Sequence, residues 1–250
     1  MSHRIQRLLL LSFSLTFCQN SFAQSQNPAR KVLDGMIEAL GGQAFLDVRE
    51  IHTTGRFFSF VRGDLAGSDL FVDYIKFPDM ERTEFGKERF KTITINRGTQ
   101  GWKIEGRDKD RKVEPQSAKQ AEDFVRDFKT GFDYVARFVL DLPRTTAQGL
   151  GTESIDFKRA DVIEVRDPSK NVITIFIDRD SRLPVKIQVR RVDDPAVREE
   201  LFGNWHKIQG VMTPLFISRS TGGVKTMEIR LDTASFNSGL ADTLFTPPSK

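Results

Sequence analysis

Cysteine is all but missing from this chain: among 250 residues there is one, Cys18. A lone cysteine supports neither an internal disulfide framework nor a multi-cysteine metal site. Histidine is nearly as scarce, and none of the three stands in the His-Glu-x-x-His spacing of a zinc helix. Gly-x-Ser-x-Gly and the Gly-Lys-Ser/Thr phosphate loop are missing too, which removes the commonest nucleophile and nucleotide signatures. No apolar run approaches the roughly 20 residues that span a bilayer as a helix. The charges are balanced and interspersed, 38 basic against 34 acidic, with no basic block to track a phosphate backbone. Nucleic acid, an integral membrane span, a metal and a cofactor are therefore not expected.

Paired carboxylates are the remaining chemical candidates. Asp108 and Asp110 lie among Arg107, Lys109, Arg111 and Lys112, the composition of a solvated loop. Asp178 and Asp180 flank Arg179 at the end of a strand and read as a hairpin turn. No catalytic residue and no metal ligand is assigned, and the chain is not expected to be an enzyme.

The N-terminus has the three parts of a secretory signal peptide. Arg4 and Arg7 precede an apolar run from Leu8 to Phe17, and small residues Ser21 and Ala23 follow. Cleavage is expected after Ala23, leaving residues 24–250 as one exported domain in the periplasm. Lipid attachment at Cys18 is disfavoured by the bulky Phe17 before it. The remaining chain then has no cysteine and depends on its core, for which it is long enough.

Beyond the leader, Asn27 and Pro28 open a helix whose stripe is Val32, Leu33, Met36, Ile37 and Leu40, ended by Gly41-Gly42. From Glu50 the period changes to two. Ile51 to Arg62, Ser68 to Phe77, Met80 to Phe85, Phe90 to Asn96 and Gly101 to Glu105 read as a meander of five strands. A charged loop, Gly106 to Gln116, leads into a second helix from about Ser117 to Leu140. Its ridge is Phe124, Phe128, Phe132, Val135 and Val139, with Gly131 as a weak point or bend. About seven strands follow: Glu153 to Lys158, Asp161 to Arg166, Asn171 to Asp178, Pro184 to Val192, Leu201 to Ile208, Val211 to Arg219 and Lys225 to Asn237. Val185, Ile187 and Val189 alternate with Lys186, Gln188 and Arg190, the mark of an antiparallel sheet with one wet face. The fold class is mainly β: a sheet this long curls as its twist accumulates, and the two helices would cover its concave apolar face.

What the chain has in excess is phenylalanine, 21 residues beside two Trp and two Tyr. Phe gives apolar area without a hydrogen-bonding handle. Phe58, Phe60 and Phe71 of the first hairpin and Phe124, Phe128 and Phe132 of the second helix are the candidate lining of a cavity between sheet and helix. Phe57 and Phe58 point to opposite faces, so one of them must turn away from any single layer.

The chain resembles the outer-membrane lipoprotein-sorting (LolA/LolB-like) family. The resemblance rests on Ala39-Leu40-Gly41-Gly42, Val48 to Gly55, Ile177-Asp178 to Leu183-Pro184, Gly210-Val211-Met212-Thr213-Pro214, and Asn237 with Phe245-Thr246-Pro247-Pro248. It implies an incomplete, half-open antiparallel barrel with helices over its concave face. It also implies a periplasmic carrier for lipid or lipoprotein acyl chains, with envelope proteins as further partners. The alternative within the same fold is an envelope sensor or protein-interaction module whose interior is filled by its own side chains.

Overall fold

The computed structural model describes residues 27–87, 89–107 and 110–248; the expected leader, Cys18 and Asp108 lie outside them. Asn27 caps α1 (Pro28–Leu40), its side chain accepting from the Ala29 amide at 2.9 Å. Leu33, Met36, Ile37 and Leu40 are buried along one face, and Gly41, at φ 131°, ends the helix. A single turn, α2 (Gln43–Leu46), follows.

The thirteen strands are β1 (Glu50–Val61), β2 (Asp64–Lys76), β3 (Met80–Phe85), β4 (Thr92–Arg97), β5 (Gln100–Glu105), β6 (Lys112–Pro115), β7 (Thr146–Ile155), β8 (Lys158–Arg166), β9 (Val172–Asp178), β10 (Pro184–Arg191), β11 (Asp194–Ile208), β12 (Val211–Thr221) and β13 (Val224–Phe236). They form one antiparallel sheet of two meanders, β1 to β6 and β7 to β13, sewn together where β1 pairs with β13. β6 and β7 are its free edges, so the sheet is a half-open barrel, as the sequence led one to expect. The chain must travel from one edge to the other between β6 and β7. That crossing carries α3 (Ala118–Thr130) and α4 (Phe132–Tyr134), which runs on into a π-helical turn, Val135–Val139. Topology alone thus throws the central helices across the mouth of the sheet.

Several elements differ from the sequence reading: β7 begins at Thr146 and β11 at Asp194, ahead of the expected starts at Glu153 and Leu201. β6 lies in what reads as a charged loop, because Val113, opposite Ile104, is its only apolar side chain. The β7–β8 turn falls at Asp156-Phe157, both with positive φ, rather than after Lys158; Asp156 suits such a turn, but Phe157 stands where Gly would announce it. The second helix is not continuous. Ser117 and Gln120 form a capping box at its start, but Gly131 is extended (φ −66°, ψ 152°) and splits it.

The concavity is filled unequally. α1 and the π-helical turn pack beneath β8 to β12, where Leu33, Met36, Leu40, Ile173, Ile175 and Ile187 are almost completely buried. On the opposite face of the sheet, a 3-10 turn (Asp242–Phe245) seats Phe245 against Ile93, Ile95 and Ile104. Beneath β1 to β3 and β11 to β13 no element among the described residues fills the concave face.

Candidate functional site

That unfilled half is a cavity of about 590 Å³, within the roughly 300–1,000 Å³ that small-ligand sites occupy. Its base is Leu40 and Phe45, its walls carry Phe71, Phe77, Phe202, Trp205 and Ile229, and its roof is Phe124, Phe128 and Phe132. Aromatic rings run from wall to roof. Phe77 lies 5.6 Å from Phe128, Phe128 lies 5.3 Å from Phe124, and Phe132 lies 5.3 Å from Phe202, all tilted. Arg137 closes the base: its guanidinium sits 3.8 Å over the Phe45 ring and Nε donates to the Phe45 carbonyl at 3.0 Å.

The roof is tethered along one side by ion pairs. Asp127 of α3 meets Arg198 of β11 at 2.7 Å and also pairs with Arg191 of β10. Arg198 donates further to Thr130 Oγ1 at 2.7 Å, and Arg126 reaches Asp193 at 3.1 Å.

The lumen is not uniformly apolar. On one wall, the cross-strand pairs Phe71/Phe85, Asp73/Thr83 and Ile75/Glu81 of β2 and β3 all face inward. Thr83 donates to Asp73 at 2.8 Å. Burial pushes the Asp73 carboxyl up to about 6. Burial, with the neighbouring Asp73 charge, pushes Glu81 up to about 8. On the facing wall, Arg219 of β12 holds Glu200 of β11 at 2.7 Å. Arg219 keeps 44 % of its side chain accessible because it projects into the open lumen.

Of the six Phe residues expected to line a cavity, Phe71, Phe124, Phe128 and Phe132 do, and Phe58 and Phe60 do not. Those two lie on the outer face of β1, Phe58 beneath Arg230 and Phe60 beneath Lys225. The parity of the strand decides this: Ile51, Thr53 and Phe57 point inward, so the even-numbered residues beyond them point out. Phe57 is the residue the reading missed on β1, and alternation from the apolar Ile51 was the signal for it. The inward Asp73, Glu81 and Arg219 carry no such signal, because a charged side chain in a strand ordinarily marks the wet face.

The two described histidines sit away from the cavity. His52 stacks on Tyr74 at 4.6 Å and His206 meets Asn204 at 3.0 Å. Asp178 does organise a turn, accepting from the Asp180 and Ser181 amides at 2.8 and 3.0 Å. Among the described residues, no three His, Cys, Asp or Glu side chains are grouped to hold a metal ion, and no helix is long and apolar enough to cross a membrane.

No protein-family model matches the chain, and no curated protein matches it. Solved structures do. The chain is similar to a DUF1329 family protein from Desulfovibrio piger at 14 % identity and TM-score 0.58, covering 88 % of this chain and 98 % of that one. It is similar to a putative outer membrane lipoprotein-sorting protein domain from Vibrio parahaemolyticus at 13 % identity and TM-score 0.55, over 87 % and 97 % of the two chains. A LolA superfamily protein from Nitrosomonas europaea matches at 16 % identity and TM-score 0.52, over 88 % and 97 %. At such identities the likeness is one of fold: the chain shares its fold with a putative lipoprotein-sorting protein domain and a LolA superfamily protein.

Proposed function

We propose that this chain is an exported periplasmic binding or carrier protein that holds lipid or lipoprotein acyl chains without covalent chemistry. The observation that carries the reading is the cavity of about 590 Å³ between an aromatic wall and a helical roof. Desolvation supplies the affinity: each buried methylene contributes roughly 0.8 kcal/mol, so an acyl chain is held without a precise polar contact. The roof supplies the gate. α3 is separated from α4 by the extended Gly131 and crosses the concave face without being part of the sheet, so it can swing while the barrel stays intact. A ligand that binds the closed roof better than the open one shifts the population towards closure. An interior left open by its own side chains argues against the self-filled interaction module.

Native mass spectrometry of the protein purified from the periplasm, followed by solvent extraction, tests this. A near-stoichiometric co-purifying acyl species is expected. A clean apo mass with no uptake of added fatty acid or lipopeptide would overturn the reading in favour of a protein-binding module.

A further inference from the structure

The inward face of β2 and β3 combines two features that meet in sites for organic cations. Phe71 and Phe85 are cross-strand partners, and Phe57 lies edge-on to Phe85 at 5.1 Å. Immediately next along the same face stand Asp73 with Thr83, then Glu81 opposite Ile75. Aromatic faces attract cations through the ring quadrupole, and cages of such rings are a recurrent means of holding ammonium groups. Carboxylates at the edge of the same pocket add a charge of the right sign.

The charges of the lumen are not balanced from within. Asp73 accepts from the uncharged Thr83 hydroxyl and the Tyr74 amide, the Glu81 carboxyl makes no hydrogen bond or ion pair among the described residues, and the Arg219 charge reaches both. Arg219, facing them across the cavity, is bound to Glu200. Arg198 is bound to Asp127 of the roof, and Glu199 pairs with Lys186 at 3.9 Å and accepts from Gln188 at 2.8 Å. Three carboxyl groups, Asp73, Glu81 and Glu200, thus share one guanidinium, Arg219. Burial and the Asp73 charge push the Glu81 carboxyl up to about 8, with the Arg219 charge working against them. A cation between the two carboxyls would let both ionise.

Resting on the acyl-binding reading, we infer that the ligand of this cavity is an amphiphile with an ammonium headgroup, seated against Phe57, Phe71, Phe85, Asp73 and Glu81. The apolar roof and base take the chain, and this wall selects the head. Primary and quaternary ammonium heads share the chemistry.

Three probes of equal chain length separate the head from the tail: dodecyltrimethylammonium, dodecanol and dodecanoate, each measured by calorimetry below its micellar concentration. At pH 7 the cation is expected to bind at least tenfold more tightly than the carboxylate, with the alcohol between them. Because the trimethylammonium charge is fixed, its binding should strengthen from pH 5 to 9 as Asp73 and Glu81 ionise. A series of buffers of differing ionisation heat should show proton release on binding near pH 7. Glu81→Gln should lower the preference for the cation over the alcohol several-fold and abolish the proton release. Dodecanoate binding as tightly as the cation, or cation binding without proton release from the native protein, would overturn the headgroup assignment while leaving acyl binding standing. Failure of all three probes to bind would overturn both.

Discussion

Asp127 on α3 stands 2.7 Å from Arg198 on β11, the contact by which the roof of the cavity is tied to the wall beneath it. Arg191 on β10 shares the same carboxylate. Both partners of the first pair are partly exposed, 48 % and 25 % for the side chains, so screening limits its worth to about 0.5–1 kcal/mol. Asp127→Asn is expected to speed amide exchange across α3 by about two- to five-fold, with little change in global Tm. Unchanged exchange in α3 would mean that the Arg126–Asp193 pair, the Arg198–Thr130 hydrogen bond and the Phe124 and Phe128 contacts hold the roof without it.

Phe128 and Phe58 are chemically identical and lie on opposite sides of the protein's working surface. Phe128 is half-buried, hangs into the cavity and touches Phe77, Phe124 and Tyr134. Phe58 lies outside, under Arg230. Phe128→Ala should weaken binding of a twelve-carbon alcohol about tenfold, since it removes apolar area that the chain would cover. Phe58→Ala should leave that affinity within twofold. Equal losses in the two variants would show that binding does not take place in this cavity.

The same two residues mark how far the sequence could be read. Helix caps, strand periods and the half-open sheet were legible because each is written in local residue types: Asn27 and Pro28, Gly41, and the alternation of Val185, Ile187 and Val189. The roof was legible as a Phe ridge, although Gly131 turned out to break the helix rather than bend it. Phe58 and Phe60 were not legible as outer residues from aromatic content alone. Their cations, Arg230 and Lys225, arrive from β13, more than 160 positions away, and only the register of β1 against β13 brings them together. Asp73, Glu81 and Arg219 escaped for the same reason: three charges on three strands become one lumen only after the sheet has curled.

The β1–β13 seam is the join on which that register depends. Gly55 lies at its register shift, and a Cβ added there would collide with the Arg230 carbonyl oxygen. Backbone, unlike a flexible side chain, cannot step aside, so Gly55→Ala should destabilise the fold by about 1–3 kcal/mol. Gly149 offers a control, because a Cβ there meets nothing within 4 Å. Gly149→Ala should be neutral or slightly stabilising, by limiting the unfolded chain. Urea denaturation compares the two. Equal midpoints for both variants would show that the seam tolerates a shift in register.

Glu81 and Glu84 sit three residues apart on β3, on opposite faces, and should give stability curves of opposite slope against pH. Glu81, raised to about 8 by burial and by the Asp73 charge, is favoured in its protonated form by the fold. Its contribution is therefore fully present below its unfolded value near 4.3 and is lost as pH rises through about 8. Arg219, with Glu200 beside it, faces this carboxyl from β12, and Asp127 and Arg198 lie beyond on the roof and β11. Glu84 behaves in the other direction. Burial works against its charge, yet hydrogen bonds from Lys91 at 2.8 Å and Arg82 at 2.7 Å hold its carboxyl below the usual range. That contribution is present above the unfolded value and disappears as pH falls through the lowered one. Glu81→Gln should thus gain on the native protein between pH 4.5 and 9, by about 1–2 kcal/mol once access from the open lumen is allowed for. Glu84→Gln should be the less stable protein at pH 7 and converge with the native one on acidification. Urea titrations of both variants at pH 4.5, 7 and 9 read the two slopes. A Glu81→Gln curve parallel to the native one would mean that Glu81 titrates as an ordinary solvated carboxylate, and that the inward wall of β3 is wetter than its position in the cavity implies.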